Sequence, residues 1–467
     1  MTQQQQRQMA PAAAAAAVAG QAPTPAGMGR IAVASAIGTM CEFYDFNIYG
    51  TAAALVFPHI FFPALGTAAG TAASFATLGV AFVARPFGSI LFGHFGDRLG
   101  RKKTLIATLL TMGIATLLVG VMPTATQIGV AAPILVVALR ILQGLAAGGE
   151  YAGGVLFGVE NAPQGRRGLW AMFPNLGGGG AIILANVTFL LTALFMPEAA
   201  FVSWGWRIPF LASVILVAIG LWIRLRIDET PVFKREVARA GVSKVPFIEA
   251  FRSQPRRILL ATGTVIGAVY VLTYIGGAYM TSYGTETLKL ARTYVLTVAI
   301  AGGVAISIGV VAGALLSDRF GRRPVITAAV ATAAAWSLVL FPLLDTKSPV
   351  AFALGVPVTM LIAGFATGPV PSFLSELFAT RYRYTAAGFS YGAAGILGGA
   401  VPPYIASTVI PAAGGLAFGL ILAALCLISL ACVLSLRETR SYELDQLSVA
   451  KATPDVRFPR ARGAVAR

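Results

Sequence analysis

The sequence predicts an all-α membrane protein with twelve transmembrane helices in two six-helix bundles. Three observations carry that prediction. The composition is too apolar for a water-soluble chain. Twelve apolar runs fall six on either side of a polar break, and the second half echoes short motifs of the first.

The 467 residues are 57% hydrophobic and 11% charged, with mean hydropathy +0.78. Soluble chains carry about 25% charged residues, so lipid must solvate most of this one. The net charge of +17 would suit an anionic polymer, but the basic residues fall in short clusters between apolar runs. Nucleic-acid binding is excluded on that distribution. Cys41, Cys426 and Cys432 all lie within apolar runs and lack metal or redox spacing. His59 and His94 are too far apart to suggest a local metal site. Residues 1–29 are rich in Gln, Ala, Pro and Gly, which predicts a disordered tail followed by an uncleaved membrane anchor.

A crossing needs about 20 mostly apolar residues. Such runs occupy 31–57, 70–95, 104–122, 130–158, 168–196 and 207–225. After the break come 258–283, 290–316, 324–344, 350–377, 385–410 and 413–436. The expected units are a six-helix bundle over 30–225, a cytoplasmic loop over 226–257, a second bundle over 258–436 and a tail over 437–467.

Lys and Arg set the orientation. Loops 58–69 and 123–129 have none, whereas the alternate loops carry Arg98, Arg101, Lys102 and Lys103, then Arg166 and Arg167, then Arg319, Arg322 and Arg323, then Arg381 and Arg383. The break and the last segment are basic too. Both termini are therefore expected in the cytoplasm, with the chain in the plasma membrane.

The halves repeat. "GDRLGRKKTLIAT" is echoed by "SDRFGRRPVITAA", Asp97 matching Asp318. Glu160 before Arg166 and Arg167 is echoed by Glu376 before Arg381 and Arg383, and "LRIDET" by "LRET". Repeated halves of this kind place a substrate site between them, near the bilayer midplane.

These residues resemble the major facilitator superfamily of secondary transporters. Its loop signature, G-x-x-x-D-R-x-G-R-K/R-K/R, is matched by Gly93, Asp97, Arg98, Gly100, Arg101, Lys102 and Lys103. The second copy keeps Asp318, Arg319, Gly321, Arg322 and Arg323, with Ala314 in place of the first Gly. "GTMCEFYDFNIYGTAAALVF", "RPFGSILFGHFGDRLGRKKTL", "LRILQGLAAGGEYAGG" and "WGWRIPFL" with "LRIDETPVF" are similar to the metabolite:proton symporter branch, which carries proline and betaine, 2-oxoglutarate, citrate or shikimate. The resemblance runs from about 38 to 440 and implies the major facilitator fold and conformational roles for both loop copies. In those loops Gly93 would let helices approach closely, and the Asp97 and Arg101 charges would exchange partners; the plainer reading is the positive-inside rule alone.

Ionisable groups inside spans carry more information, because each costs about 2.5–3.5 kcal/mol at a helix centre. Glu42, Asp45 and Tyr49 share one face of the first span. Arg85 lies in the second, and Arg140, Glu150 and Tyr151 lie in the fourth. A buried carboxyl beside a guanidinium is pulled both ways by desolvation and by charge, which suits a group that loads and releases a proton. Glu42, Asp45 and Glu150 are the candidates for proton coupling. Arg85 and Arg140 are candidates for a substrate carboxylate, through the bidentate guanidinium fork, with Tyr49, Tyr151 and Tyr274 beside them. The rival reading makes all five ions structural pairs, and Arg140 also fits a fourth-span arginine motif of the superfamily. Tyr270, Thr273, Tyr279, Ser372, Ser375 and Tyr391 offer hydrogen bonds or aromatic faces in the second half, against a rival role in helix packing. Glu160 and Glu376, beside arginines, read as structural ion pairs.

Gly144, Gly148, Gly149, Gly153, Gly154 and Gly158, and Gly177 to Gly180, permit close helix contact. No strand or Gly-Lys-Ser/Thr accompanies them, so they form no phosphate loop. The expected activity is uptake of a small organic metabolite, a carboxylate or a zwitterion such as a betaine, by proton symport and alternating access. The driving force is an ion gradient, with no cofactor and no metal. The expected partners are the metabolite, a proton and the lipid bilayer, with the chain acting as a monomer. An efflux antiporter is the rival within the fold: Pro174, Gly177 and Gly178 match part of an antiporter signature, with Phe173 in place of its leading Gly. An enzyme or sensor is the rival outside it, and no nucleophile–base pair supports one.

Overall fold

The computed structural model describes residues 25–99, 101–149, 155, 159, 162–163, 165–226, 246–378 and 380–441. Ten helical stretches among them are long and apolar enough to cross a membrane. One more, Pro25–Leu55, is 31 residues long but interrupted by Glu42 and Asp45. The stretch Arg383–Ser435 is bent at Gly414, whose φ of 82° an L side chain would resist, into two crossings. Twelve transmembrane helices result.

In order these are α1 (Pro25–Leu55), α2 (Gly66–Leu99), α3 (Arg101–Val121), α4 (Ala131–Gly148), α5 (Arg167–Phe195) and α6 (Ile208–Arg226). Then come α7 (Pro255–Thr287), α8 (Arg292–Phe320), α9 (Arg322–Asp345), α10 (Pro349–Leu377), α11 (380–413) and α12 (415–435). The described part of α1 begins at Pro25, inside the expected tail; residues 1–24 lie outside those described. A further helix, Pro246–Ser253, occupies part of the expected central loop, of which 227–245 are outside the described residues. Residues 442–467 of the expected tail are outside them as well.

Helix pairing repeats between the halves. α1 lies along α5, α2 along α4 and α3 along α6. Likewise α7 lies along α11, α8 along α10, and α9 along the segment that contains α12. The bundles meet mainly through α5 against α8 and α2 against α11. Leu259, Ile215 and Phe195 stay exposed on the outside, as a lipid-facing surface requires.

Small residues permit the tightest crossings. A Cβ on Gly88 would press into the Leu145 carbonyl, and one on Gly148 into the Arg85 carbonyl. The second bundle repeats the device with Gly309 against the Leu361 carbonyl and Gly364 against the Ile306 carbonyl. With no hydrophobic force between helices in lipid, backbone approach of this kind supplies the packing. α7 departs from regular helix in three π segments, Ile266–Val271, Ile275–Tyr279 and Tyr283–Thr287, and α11 in one, Ile396–Ala400. Such segments widen a helix locally and re-aim its side chains.

Gly148→Leu is expected to destabilise the protein by about 3 kcal/mol, whereas Gly178→Ala, whose new Cβ would meet only Phe43 at 3.9 Å, should change little. Thermal midpoints of the two detergent-purified variants check this.

Candidate functional site

α1 presents Glu42, Asp45, Phe46 and Tyr49 toward the inside of the first bundle, all nearly inaccessible. Arg85 reaches them from α2 and Arg140 from α4. Both guanidiniums lie on aromatic faces: Arg85 is 4.0 Å from the Phe46 ring centre and 4.8 Å from Phe82, and Arg140 is 3.8 Å from Tyr49 and 5.0 Å from Phe46. One ring, Phe46, therefore faces both cations. A desolvated cation–π contact contributes about 2 kcal/mol.

The acids stand nearby without a direct ion pair to either arginine among the described residues. Glu42 lies in the field of Arg85 and Arg224, and Asp45 in that of Arg140 and Glu42. Arg140 Nη1 donates to Gln143 Oε1 at 2.8 Å, and Gln143 Nε2 donates to the Thr116 hydroxyl at 2.7 Å. Thr116 in turn neighbours Asp45. Several atoms remain without a protein partner: Asp45 Oδ1, and Nε and Nη2 of both Arg85 and Arg140.

A partly open cavity lies between the bundles. α1, α5, α7, α8, α10 and α11 all line it, and its polar groups include Asn47, Asn186, Thr273, Tyr274 and Tyr391. Arg85 stands behind this wall: its Nη1 donates to the Tyr270 hydroxyl at 3.4 Å, across the bundle interface. Tyr270 stacks with Tyr274 at 5.8 Å and lies 5.2 Å from Tyr391. Asn175 Nδ2 donates to the Thr367 carbonyl at 2.9 Å, a second link between bundles.

Each end of the interface is tied by charge. At the end that carries the signature loops, the Asp318 carboxylate accepts the backbone N–H groups of Gly168 and Leu169, both at 2.9 Å. These are orphan donors at the start of α5. Arg322 pairs with Asp318 at 2.6 Å and with Glu376 at 3.5 Å, and Arg167 lies 3.8 Å from Glu376. At the other end Arg292 grips Glu198 with two bonds, at 2.5 and 2.9 Å.

The structure brings Glu42, Asp45, Tyr49, Arg85, Arg140 and Tyr274 together. Of these Tyr274 lines the cavity, Arg85 stands behind it, and Tyr49 donates to or accepts from Thr77 at 2.6 Å while its ring carries Arg140. Glu150, Tyr151, Gly100 and Glu160 lie outside the described residues, as do the side chains of Gly93, Asp97, Arg98 and Arg101. In the second loop copy Arg319 is exposed and Gly321, at φ 106°, makes the turn between α8 and α9. Glu376, read from the sequence as a structural ion pair, does pair with arginines: Arg322 and Arg167. Arg224, near the end of the sixth run, lies in the field of Glu42 and donates to the Leu105 carbonyl. Sequence reasoning missed Asn47, Asn175, Asn186 and Gln143, whose signal was an amide inside an apolar run.

Two helix bundles enclosing a cavity with a few polar groups in its lining, buried ions in one bundle and a charged tie at each end fit a membrane transporter. The Major Facilitator Superfamily pattern matches residues 35–403. The chain belongs to that superfamily. It is 42% identical over 420 residues to the inner membrane metabolite transport protein YhjE of Escherichia coli K12, covering 89% of this chain and 95% of that one. It is 37% identical over 388 residues to the shikimate transporter of the same strain, covering 82% and 87%. It is 32% identical over 378 residues to that strain's proline/betaine transporter, covering 79% and 75%. The xylose transporter XylE from E. coli, in a partially occluded inward-open conformation, superposes with a TM-score of 0.69 at 17% identity, covering 89% of this chain and 99% of that one. These relatives are transporters rather than enzymes.

Asp318→Asn removes the charge that holds the start of α5, a bond of about 1.5 kcal/mol or more. A single cysteine introduced at buried Ser375, with the native cysteines replaced, should be alkylated about tenfold faster in that variant, read by mass shift over time.

Proposed function

We propose that this protein is a proton-coupled symporter that brings a small organic metabolite into the cell by alternating access. The observation that carries the reading is the pair Glu42 and Asp45, buried in the first bundle beside Arg85 and Arg140, behind the cavity-lining Phe46 ring and without a direct ion pair among the described residues. A carboxylate in that position changes partners easily: it holds a proton when the arginines turn to a substrate, and releases it when they turn back. Proton and substrate binding are then linked, each raising the affinity for the other by the same factor. Glu150 completes the proposed proton-coupling set, and Arg85, Arg140, Tyr49, Tyr151 and Tyr274 the substrate set.

The substrate class is a carboxylate or a zwitterion such as a betaine, in line with the names of the shikimate and proline/betaine relatives. A solved neighbour in fold is described as a D-xylose–proton symporter. Residues 30–225 and 258–436 act as the two rocking bodies, with Asp97, Arg98 and Arg101 and their second-copy counterparts Asp318, Arg319 and Arg322 working the cytoplasmic gate. Both termini face the cytoplasm, the chain sits in the cell membrane as a monomer, and the proton gradient takes the place of a cofactor. The basic loops listed along the sequence support that orientation.

Uptake into proteoliposomes is expected to require an inward proton gradient. Asp45→Asn should lower gradient-driven uptake at least about tenfold while leaving substrate exchange, which moves no net proton, within a few-fold of normal. Uptake that ignores the gradient in both proteins would refute symport.

A further inference from the structure

We infer that the cavity between the bundles is built for a carboxylate that also carries hydroxyl groups, and is built against quaternary ammonium compounds. The inference rests on the substrate-site reading above and narrows it.

Four features of the cavity point the same way. Among the described residues its lining includes no Asp, Glu, Lys or Arg, so a cationic head group finds no counter-ion in them. Of its lining rings, Phe46 already faces the guanidiniums of Arg85 and Arg140. Recognition of a quaternary ammonium needs such faces unoccupied.

An anion meets the opposite conditions. Arg85 contacts the lining tyrosine Tyr270 and keeps Nε and Nη2 without a protein acceptor. Buried N–H groups on a charged side chain are costly to leave unpaired. A carboxylate arriving beside Tyr270 and Tyr274 satisfies that demand through the guanidinium directly or through the tyrosine hydroxyls it polarises.

The hydroxyl requirement comes from the other polar wall. Asn186, on α5, donates through Nδ2 to the Ile182 carbonyl at 2.8 Å, which fixes the amide orientation because only the NH₂ group can serve a carbonyl. Its Oδ1 is left as a buried acceptor without a protein donor. The Thr273 hydroxyl, on α7, is likewise buried and unpartnered. Both residues line the cavity. A betaine has no N–H or O–H to offer Asn186; a hydroxylated carboxylate has both the donor and the anion. A site with buried acceptors rejects the analogue that lacks the matching donor far more strongly than it rejects a change in size.

The test is equilibrium binding to the purified, unmutated protein at constant pH, which needs no proton gradient and so stands or falls separately from symport. Three probes suffice: quinate, cyclohexanecarboxylate and glycine betaine, followed by thermal shift at graded concentrations. Quinate should bind at least about tenfold more tightly than cyclohexanecarboxylate, and glycine betaine should give no shift. Asn186→Leu, or Thr273→Val where the first variant fails to fold, should reduce the preference for quinate over cyclohexanecarboxylate at least threefold. Quinate binding no tighter than cyclohexanecarboxylate, or a larger shift from glycine betaine, overturns the inference. So does an unchanged preference in a folded variant.

Discussion

The arrangement on which this structure depends is two buried guanidiniums shared by a single phenylalanine ring. In a bilayer, a charge without compensation is expelled or neutralised. Arg85 and Arg140 are retained because Phe46, Phe82 and Tyr49 supply aromatic faces and Gln143 supplies an acceptor. Those contacts compensate only part of each cation. Glu42 and Asp45 meet the arginines through space, and Asp45 Oδ1 and both guanidiniums keep unspent hydrogen-bonding capacity. A fully paired cluster of the same residues would be a rigid structural ion network, with nothing left for a solute or a proton.

The packing around that cluster keeps it in place. Glycines bring α2 and α4 together at Gly88 and Gly148, and the latter lies against the backbone of Arg85 itself. The same crossing between α8 and α10 uses Gly309 and Gly364. Rigid pairs inside each bundle leave the bundle interface as the softer boundary. Its polar ties include Asp318 on the start of α5, Arg167 beside Glu376, Glu198 on Arg292, Asn175 on the Thr367 carbonyl, and the bond from Arg85 to Tyr270. The last places a charged group of the first bundle directly against the π-bulged helix of the second, next to the cavity.

Much of this was legible in the sequence, for physical reasons that differ by residue. Twelve apolar runs reported twelve crossings because lipid enforces length and hydropathy on each helix separately. Glu42, Asp45, Arg85 and Arg140 stood out because a charge in such a run is expensive wherever its partners are. What escaped was partnership. Asp318 accepts from the chain 150 residues earlier, and Arg85 meets Tyr270 185 residues later, distances over which spacing says nothing. Arg224, at the end of an apolar run, is in the field of Glu42, a residue 182 positions earlier. Asn186 was overlooked because a lone amide in a helix gives no sign of which of its atoms is satisfied.

The central claim is that a carboxyl buried in the first bundle exchanges its proton while the arginines beside it stay charged. Infrared difference spectroscopy of the reconstituted protein, between acid and alkaline buffer, reads this most directly. A carbonyl band of a protonated, water-shielded carboxyl should come and go with pH in the native protein and be lost in the Glu42→Gln, Asp45→Asn double variant. A band that survives in the double variant, or a native spectrum with no such band at any pH, would contradict the account.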